Sequence, residues 1–124
     1  MPEIPIRRVL IFDYGGLQVV VKFLKGNYKV VLEWSEELSL RGASFVARIL
    51  EKKTKNIDFL ELRPGLSAYI GSKYITVIEH KKLSPTRVRE LTRKIDALLS
   101  SISAITPKDM GEAVARAVKA EFGV

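Results

Sequence analysis

The chain has 124 residues, of which 47% are hydrophobic and 28% are charged, a composition that favours one folded domain over a disordered chain. It contains no cysteine and a single histidine, which excludes disulfides, thiol chemistry and a histidine-rich metal centre. The net charge of +7 suits either a nucleic-acid-binding protein or a soluble lysine-rich one.

No apolar run reaches the length of a membrane span, and no signal peptide is recognisable, so the sequence predicts a cytoplasmic protein. Asparagine and glutamine are scarce beside abundant Lys, Arg, Glu, Ile and Val, which is typical of a thermophile. No cofactor, membrane partner or small-molecule substrate is predicted.

The first third of the chain has the pattern of a β-meander. Three apolar strands are predicted at Arg7–Phe12, Leu17–Leu24 and Tyr28–Trp34. If Gly26-Asn27 is a two-residue hairpin loop, Phe23 faces Val30 and Val21 faces Leu32. One face of this hairpin is then core-like and the other is solvated. The core-like face holds Val19, Val21, Phe23, Val30, Leu32 and Trp34, and the solvated face holds Gln18, Val20, Lys22, Lys29, Val31 and Glu33.

A helix over Ser35–Lys53 follows, with Ser35 as its cap and two glutamates in its first turn. Three further strands are predicted at Asn56–Leu62, Leu66–Ile70 and Lys73–His80, and two helices complete the chain. Strands in groups rather than in βαβ alternation indicate an α+β fold with an antiparallel sheet, in the order βββ-α-βββ-αα.

The hairpin around Gly71-Ser72 is the main candidate for ligand binding. A two-residue loop places Tyr69 opposite Tyr74, on a face shared with Ser67, Thr76 and His80. Exposed rings can stack on unpaired bases, although cross-strand tyrosines also simply stabilise sheets. The predicted nucleic-acid-binding residues are Tyr69, Tyr74, Arg63, Lys73, His80, Lys81 and Lys82, extended by Lys22, Lys29 and Tyr14.

The segment Ser84–Ile105 predicts a long helix, capped by Ser84 with Pro85 at its first position. Apolar residues follow a 3-4 spacing typical of a coiled-coil seam: Val88, Leu91, Ile95, Leu98, Ile102 and Ile105. Leu99 widens this stripe, and a last helix capped by Thr106 offers a partner within the chain. We therefore expect one contact within the chain and one across a homo-oligomer interface. Residues 1–83 would form the nucleic-acid-binding part and residues 84–124 the oligomerisation part of one compact unit.

Enzymatic chemistry has one weak candidate. The stretch Val9–Gly16 resembles the signature of the haloacid dehalogenase superfamily, in which the position of Asp13 carries the nucleophile. That family needs a following helix, whereas a strand follows here, so Asp13 is better interpreted as a turn residue. His80 has no evident catalytic partner. We predict no catalytic residue and no metal site.

The layout of the whole chain resembles the ThermoDBP family of archaeal single-strand-binding proteins. The Val9–Gly16 strand and turn, the Tyr69–Tyr74 hairpin and the Val88–Ile105 helix carry the resemblance. It implies an oligomer that binds single-stranded DNA or RNA in a cleft with apolar and aromatic walls and a basic rim. The alternative is a protein-interaction module whose zipper helix acts without nucleic-acid affinity.

Overall fold

The structure, a computed structural model, describes residues 4–123. Three strands, one helix, three strands and two helices follow one another along the described chain. They are β1 (Ile6–Asp13), β2 (Gly16–Leu24), β3 (Asn27–Val31), α1 (Glu36–Thr54), β4 (Phe59–Arg63), β5 (Leu66–Ile70), β6 (Tyr74–His80), α2 (Pro85–Ser100) and α3 (Pro107–Glu121).

All six strands form one antiparallel sheet in the order β3-β2-β1-β6-β5-β4. Each group of three strands is a meander, and β1 pairs with β6 to join the two groups at the centre. The predicted α+β class with an antiparallel sheet is therefore confirmed.

The sheet separates two apolar cores. On one face, which we call the α2–α3 face, helices α2 and α3 pack over the strands; on the other, the α1 face, only α1 does. The α2–α3 core includes Val9, Ile11, Val19, Val21, Ile78, Leu91, Ile95, Leu99, Val114 and Val118. The α1 core consists of Phe12, Leu17, Val20, Val46, Ile49, Ala68, Ile70, Ile75 and Val77.

The three predicted helix caps are present. The side chains of Ser35, Ser84 and Thr106 each accept a hydrogen bond from the backbone N–H three residues later. No described helix is both long and apolar enough to cross a membrane.

The long helix is shorter than predicted, because α2 ends at Ser100 and leaves Ile102 and Ile105 outside it. Val88, Leu91, Ile95 and Leu99 are at most 1% exposed and lie in the core of their own chain. A helix that packs on a sheet follows its 3.6-residue period, so the buried stripe passes through Leu99 rather than Leu98.

The outer end of the predicted seam is exposed. Leu98 and Ile102 are 37% and 39% exposed, whereas Ile105 packs partly against the α2–α3 core. A second subunit could therefore touch only the end of this seam, and a continuous a/d zipper is not available on α2.

Both predicted hairpin registers are shifted by two residues. Phe23 pairs with Tyr28 and Val21 with Val30, and Ile70 pairs with Ile75. A shift of two preserves the face on which each side chain lies, because side chains alternate with period two. Val19, Val21, Phe23 and Val30 accordingly do share the α2–α3 core.

Two parts of the predicted meander are wrong. Strand β3 ends at Val31, so Leu32 is exposed and Trp34 packs against the α1 core instead. The face expected to be solvated is covered in part, because α1 packs over Val20 and Val31.

Candidate nucleic-acid interface

The predicted tyrosine surface is covered by α2. Ser67 and Thr76 on that face are 2% and 0% exposed, and Tyr74 packs against the α2–α3 core. Tyr69 pairs with Thr76 rather than with Tyr74. The expectation of an open pair of stacking rings is therefore wrong, because the amphipathic helix α2 buries its apolar stripe against this face of the sheet.

Tyr69 lies at the edge of a hollow, and Tyr14 is engaged in contacts within the chain. Tyr69 borders a hollow beside Glu90, Arg93 and Asp96 of α2. The hydroxyl of Tyr14 donates to the carbonyl of Gly71 at 2.6 Å, and the Lys53 ammonium lies 4.6 Å from the centre of the ring. Tyr14 thus ties the β1–β2 turn to the β5–β6 loop and to the end of α1.

The predicted cations separate into two groups at opposite ends of β6. Lys73 precedes this strand while Lys81 and Lys82 follow it, so Lys73 and Lys81 are about 26 Å apart along an extended chain. Arg63 and His80 lie at the same end as Lys81. The structure therefore brings the basic residues predicted around the β5–β6 hairpin to one end of β6, with the exception of Lys73.

His80 contributes little positive charge at neutral pH. Burial lowers the pKa of its imidazole, an effect that the nearby Glu61 opposes. Its Nε2 lies 3.2 Å from the hydroxyl of Ser67, which orients the ring.

On the α1 face, one row of paired residues crosses all six strands. Lys29 pairs with Lys22, Lys22 with Arg8, and Arg8 with Glu79; Leu66 pairs with both Glu79 and Arg63. Paired residues share a face of the sheet. We call this set of paired residues the basic row; among the described residues it holds four cations, Lys29, Lys22, Arg8 and Arg63, and one carboxylate, Glu79.

The basic row borders the region that α1 covers. Along β2, the residue two before Lys22 is Val20, which is buried under α1, and along β6 Val77 precedes Glu79 in the same way. Both strands thus pass from apolar to charged residues where the cover of α1 ends.

A cleft of about 490 Å³ lies between α1 and this row. Its floor is apolar and comprises Leu10, Phe12, Leu60, Leu62, Leu66 and Val77. Phe45, Arg48, Ile49 and Lys52 form the α1 wall, because spacings of three and four place them on one side of the helix. Arg8 and Arg63 form the opposite wall, so cations flank an apolar floor on both sides.

Two shifts in strand register determine the face of the sheet on which Arg8 and Arg63 lie. The β4–β5 register shifts between Glu61 and Arg63, so Arg63 faces the cleft, although strict alternation would point it to the other side. A second shift between Ile6 and Arg8 lets Ile6 enter the α2–α3 core while Arg8 lies on the α1 face.

Glu79 is the carboxylate of the basic row, and it forms ion pairs with two arginines. Its Oε2 accepts hydrogen bonds from Arg8 at 3.0 Å and from Arg63 at 3.4 Å. The Arg8 hydrogen bond lowers the pKa of Glu79, with smaller contributions from the charges of Arg8, Arg63 and Arg7, while burial opposes the shift. Glu79 therefore stays ionised and positions the two guanidinium groups. The three side chains together keep a net positive charge.

Asp13 is a turn residue. Its Oδ1 accepts hydrogen bonds from the backbone N–H groups of Gly15 at 2.8 Å and Gly16 at 3.1 Å, as the turn interpretation predicted. Within residues 4–123, no group of three or more metal-ligating side chains is arranged to hold a metal ion.

Sequence reasoning identified Arg63, Lys22 and Lys29 but missed Arg8, Phe45, Arg48 and Lys52. The helical residues had a readable signal, since Arg48 follows Phe45 by three residues and Lys52 follows Arg48 by four, which places all three on one side of the helix. Arg8 had none, because its orientation depends on a bulge. Comparisons with family models, curated proteins and solved structures found no match to this chain.

Proposed function

We propose that this protein binds single-stranded DNA or RNA with little sequence preference, in the cleft between α1 and the basic row. The observation that carries the proposal is an apolar floor with cations on both walls: Arg48 and Lys52 from the helix, and Arg8 and Arg63 from the sheet.

This arrangement matches the two chemical parts of a single strand. Phosphates carry a charge at every nucleotide, and cations on either side of a groove can follow them. Unpaired bases present apolar faces, which Phe45 and the aliphatic floor can contact. A duplex hides those faces in its stack, so the apolar floor favours unpaired strands.

Among the described residues, the floor of the cleft has no side chain that could hydrogen-bond a particular base or sugar. Its floor is hydrocarbon, so base edges find few hydrogen-bonding partners there, and we expect binding to depend on length and salt rather than on sequence. The resemblance to the ThermoDBP family implies single-strand binding too, but two of the three segments that carry it, the Tyr69–Tyr74 hairpin and α2, do not line the cleft.

The direct test is the affinity of a labelled single strand as a function of salt, for wild type and for Arg48→Gln/Lys52→Gln. We expect affinity to fall steeply with salt, and the double variant to reduce the slope of log K against log salt by about 1.4 for two lost phosphate contacts. Arg93→Gln/Lys108→Gln, an equal charge loss on exposed positions of α2 and α3, is the matched control.

Absence of binding at low salt, or equal affinity for a duplex of the same sequence, would contradict the proposal. Equal losses in the cleft variant and the control would show that only overall charge matters.

A second candidate function, self-association, is favoured by the outward side of α1. Leu40 and Leu50 are 66% and 43% exposed and form a stripe with the exposed Ala43 and Ala47. The spacing of 3, 4 and 3 is that of a coiled-coil seam.

The charges of α1 suit a second copy in antiparallel orientation. Glu36 and Glu37 lie in the first turn, and Lys52 and Lys53 in the last. Two antiparallel copies would place acidic ends against basic ends, Leu40 against Leu50, and Ala43 against Ala47. We therefore propose that any homodimer uses α1 rather than the buried seam of α2.

Light scattering of wild type, Leu40→Glu/Leu50→Glu and Leu98→Lys/Ile102→Lys tests this candidate. We expect a dimer that the α1 variant alone converts to a monomer, since all four positions are exposed and the variants should fold. Loss of the dimer in the second variant would assign the interface to the end of α2, and a monomeric wild type would refute self-association.

A further inference from the structure

The cleft is the first of three adjoining hollows. A second, of about 280 Å³, lies around the β4–β5 turn and shares Arg63 with the cleft. A third, of about 350 Å³, lies at the end of the sheet and shares Arg7 and Lys81 with the second. We call them the cleft, the bridging hollow and the end hollow.

The end hollow repeats the chemistry of the cleft. Its apolar lining includes Pro5, Phe23 and Leu24, and Leu24 is 59% exposed. Four cations surround it, Arg7, Lys25, Lys81 and Lys82, and its described lining residues include no carboxylate.

The course of the backbone brings the residues that carry these charges together. The N–H of Lys81 donates to the carbonyl of Pro5 at 2.9 Å, which ties the segment after β6 to the start of β1. Lys82 adopts a positive φ of 54°, so the chain turns sharply at the two lysines instead of extending the strand. Lys25 lies in the β2–β3 loop and borders the same hollow.

Resting on the function proposed above, we infer that a single strand leaves the cleft at Arg63, passes through the bridging hollow and ends in the end hollow. Eight cations and one carboxylate, Glu79, line this path among the described residues. The cations are Arg48, Lys52, Arg8, Arg63, Arg7, Lys81, Lys82 and Lys25.

The arrangement selects a polyanion over small anions. One phosphate would be satisfied by one cluster of cations, whereas here the cations recur around three adjoining hollows that share lining residues. A chain with charges at regular intervals and apolar groups between them is what a single strand offers. The strand would bend round the end of the sheet, which a stiff duplex resists over so short a length.

The consequence is a footprint longer than the cleft. Affinity should rise with oligonucleotide length until the end hollow is filled, and only longer strands should depend on the cations of that hollow. Lys25→Gln/Lys82→Gln removes two of these charges at exposed positions that do not line the cleft.

The experiment measures the affinity of thymidine oligonucleotides from about 3 to about 16 nucleotides, a range that spans known sites of this kind. Wild type, Lys25→Gln/Lys82→Gln, Arg48→Gln/Lys52→Gln and the control Arg93→Gln/Lys108→Gln are compared. We expect the end-hollow variant to match wild type on the shortest strand that binds. On the longest strand its affinity should be at least tenfold lower than that of wild type. Its slope of log K against log salt should be smaller by about 1.4. The cleft variant should be weak at every length.

Two results would overturn the inference while leaving the proposed function intact: affinity that stops rising at the shortest binding length, or an end-hollow variant that matches wild type on the longest strand. If no oligonucleotide binds at low salt, the proposed function fails and the path fails with it.

Discussion

At the scale of single residues, Asp96 on α2 lies against the backbone of Gly71 in the β5–β6 loop. A side chain at position 71 would meet the Asp96 carboxylate, which would have to move to make room for it. The buried Oδ1 of Asp96 has no hydrogen-bond partner among the described residues. Burial raises the pKa of this carboxyl. Its charged form therefore opposes folding at neutral pH.

We expect Asp96→Asn to raise the free energy of unfolding at pH 7, because the amide carries no charge to desolvate. An acid whose pKa is raised by folding destabilises the protein above that pKa, and the penalty disappears as pH falls and the carboxyl is protonated. The advantage of the variant should thus vanish near pH 4 and below. Urea unfolding at several pH values measures it, with the exposed Glu90→Gln on the same helix as control. Equal stability of Asp96→Asn and wild type at neutral pH would contradict the expectation.

At the scale of elements, α3 approaches the sheet through Gly111. A Cβ at this position would lie 2.6 Å from Val30 Cγ1 and 3.1 Å from Val19 Cγ2. Alanine normally improves a helix by about 1 kcal/mol over glycine. The missing side chain is what lets α3 lie directly on β2 and β3, and α3 in turn supplies Met110, Val114 and Val118 to the core.

Gly111→Ala should therefore destabilise the fold, since overpacking costs about 1–3 kcal/mol and exceeds the helical gain. In a Val30→Ala background the same change should cost less or become neutral, because the two Val30 methyl groups, including the closest one, are gone and the 3.1 Å contact with Val19 Cγ2 is what remains. Chemical denaturation of the four proteins in this cycle measures the coupling. Independent, additive effects would show that the helix moves to accommodate the methyl group.

At the scale of the whole molecule, the two faces of the sheet differ in cover. Six strands span roughly 25 Å, and the 19 residues of α1 span about 28 Å, so one helix can cross the whole width. Its diameter is only about 10–12 Å, whereas an eight-residue strand is about 26 Å long. A single helix therefore leaves much of the α1 face open, and the cleft lies at the border of its cover.

This asymmetry predicts which aromatic ring contacts a bound strand. Phe45→Leu in the wall of the cleft should weaken single-strand binding by about 1 kcal/mol or more, since it keeps apolar contact but removes the stacking surface. Tyr69→Leu on the α2–α3 face should leave affinity unchanged. Fluorescence anisotropy with one labelled strand compares them, and thermal unfolding checks that both variants fold. The reverse order of losses would move the binding surface to the opposite face.

Several features followed from the sequence alone, because their causes are local. Side chains of Ser35, Ser84 and Thr106 cap helices within one turn, and the carboxylate of Asp13 closes a turn two residues away. The alternation of side chains along a strand also placed Val19 and Val21 on a common face. This prediction is correct despite the two-residue error in register.

Tertiary structure decided the location of the cleft and the role of α2. Whether Tyr74 faces solvent depends on which face α2 occupies, and no property of the Tyr69–Tyr74 hairpin encodes that choice. The direction of Arg8 and Arg63 depends on bulges that arise where strands distant in sequence pair. The α2 stripe has the same apolar pattern whether its partner is a sheet or another subunit, because hydrophobic burial is non-directional. Only the packed chain shows that Val88, Leu91 and Ile95 are buried in its own core.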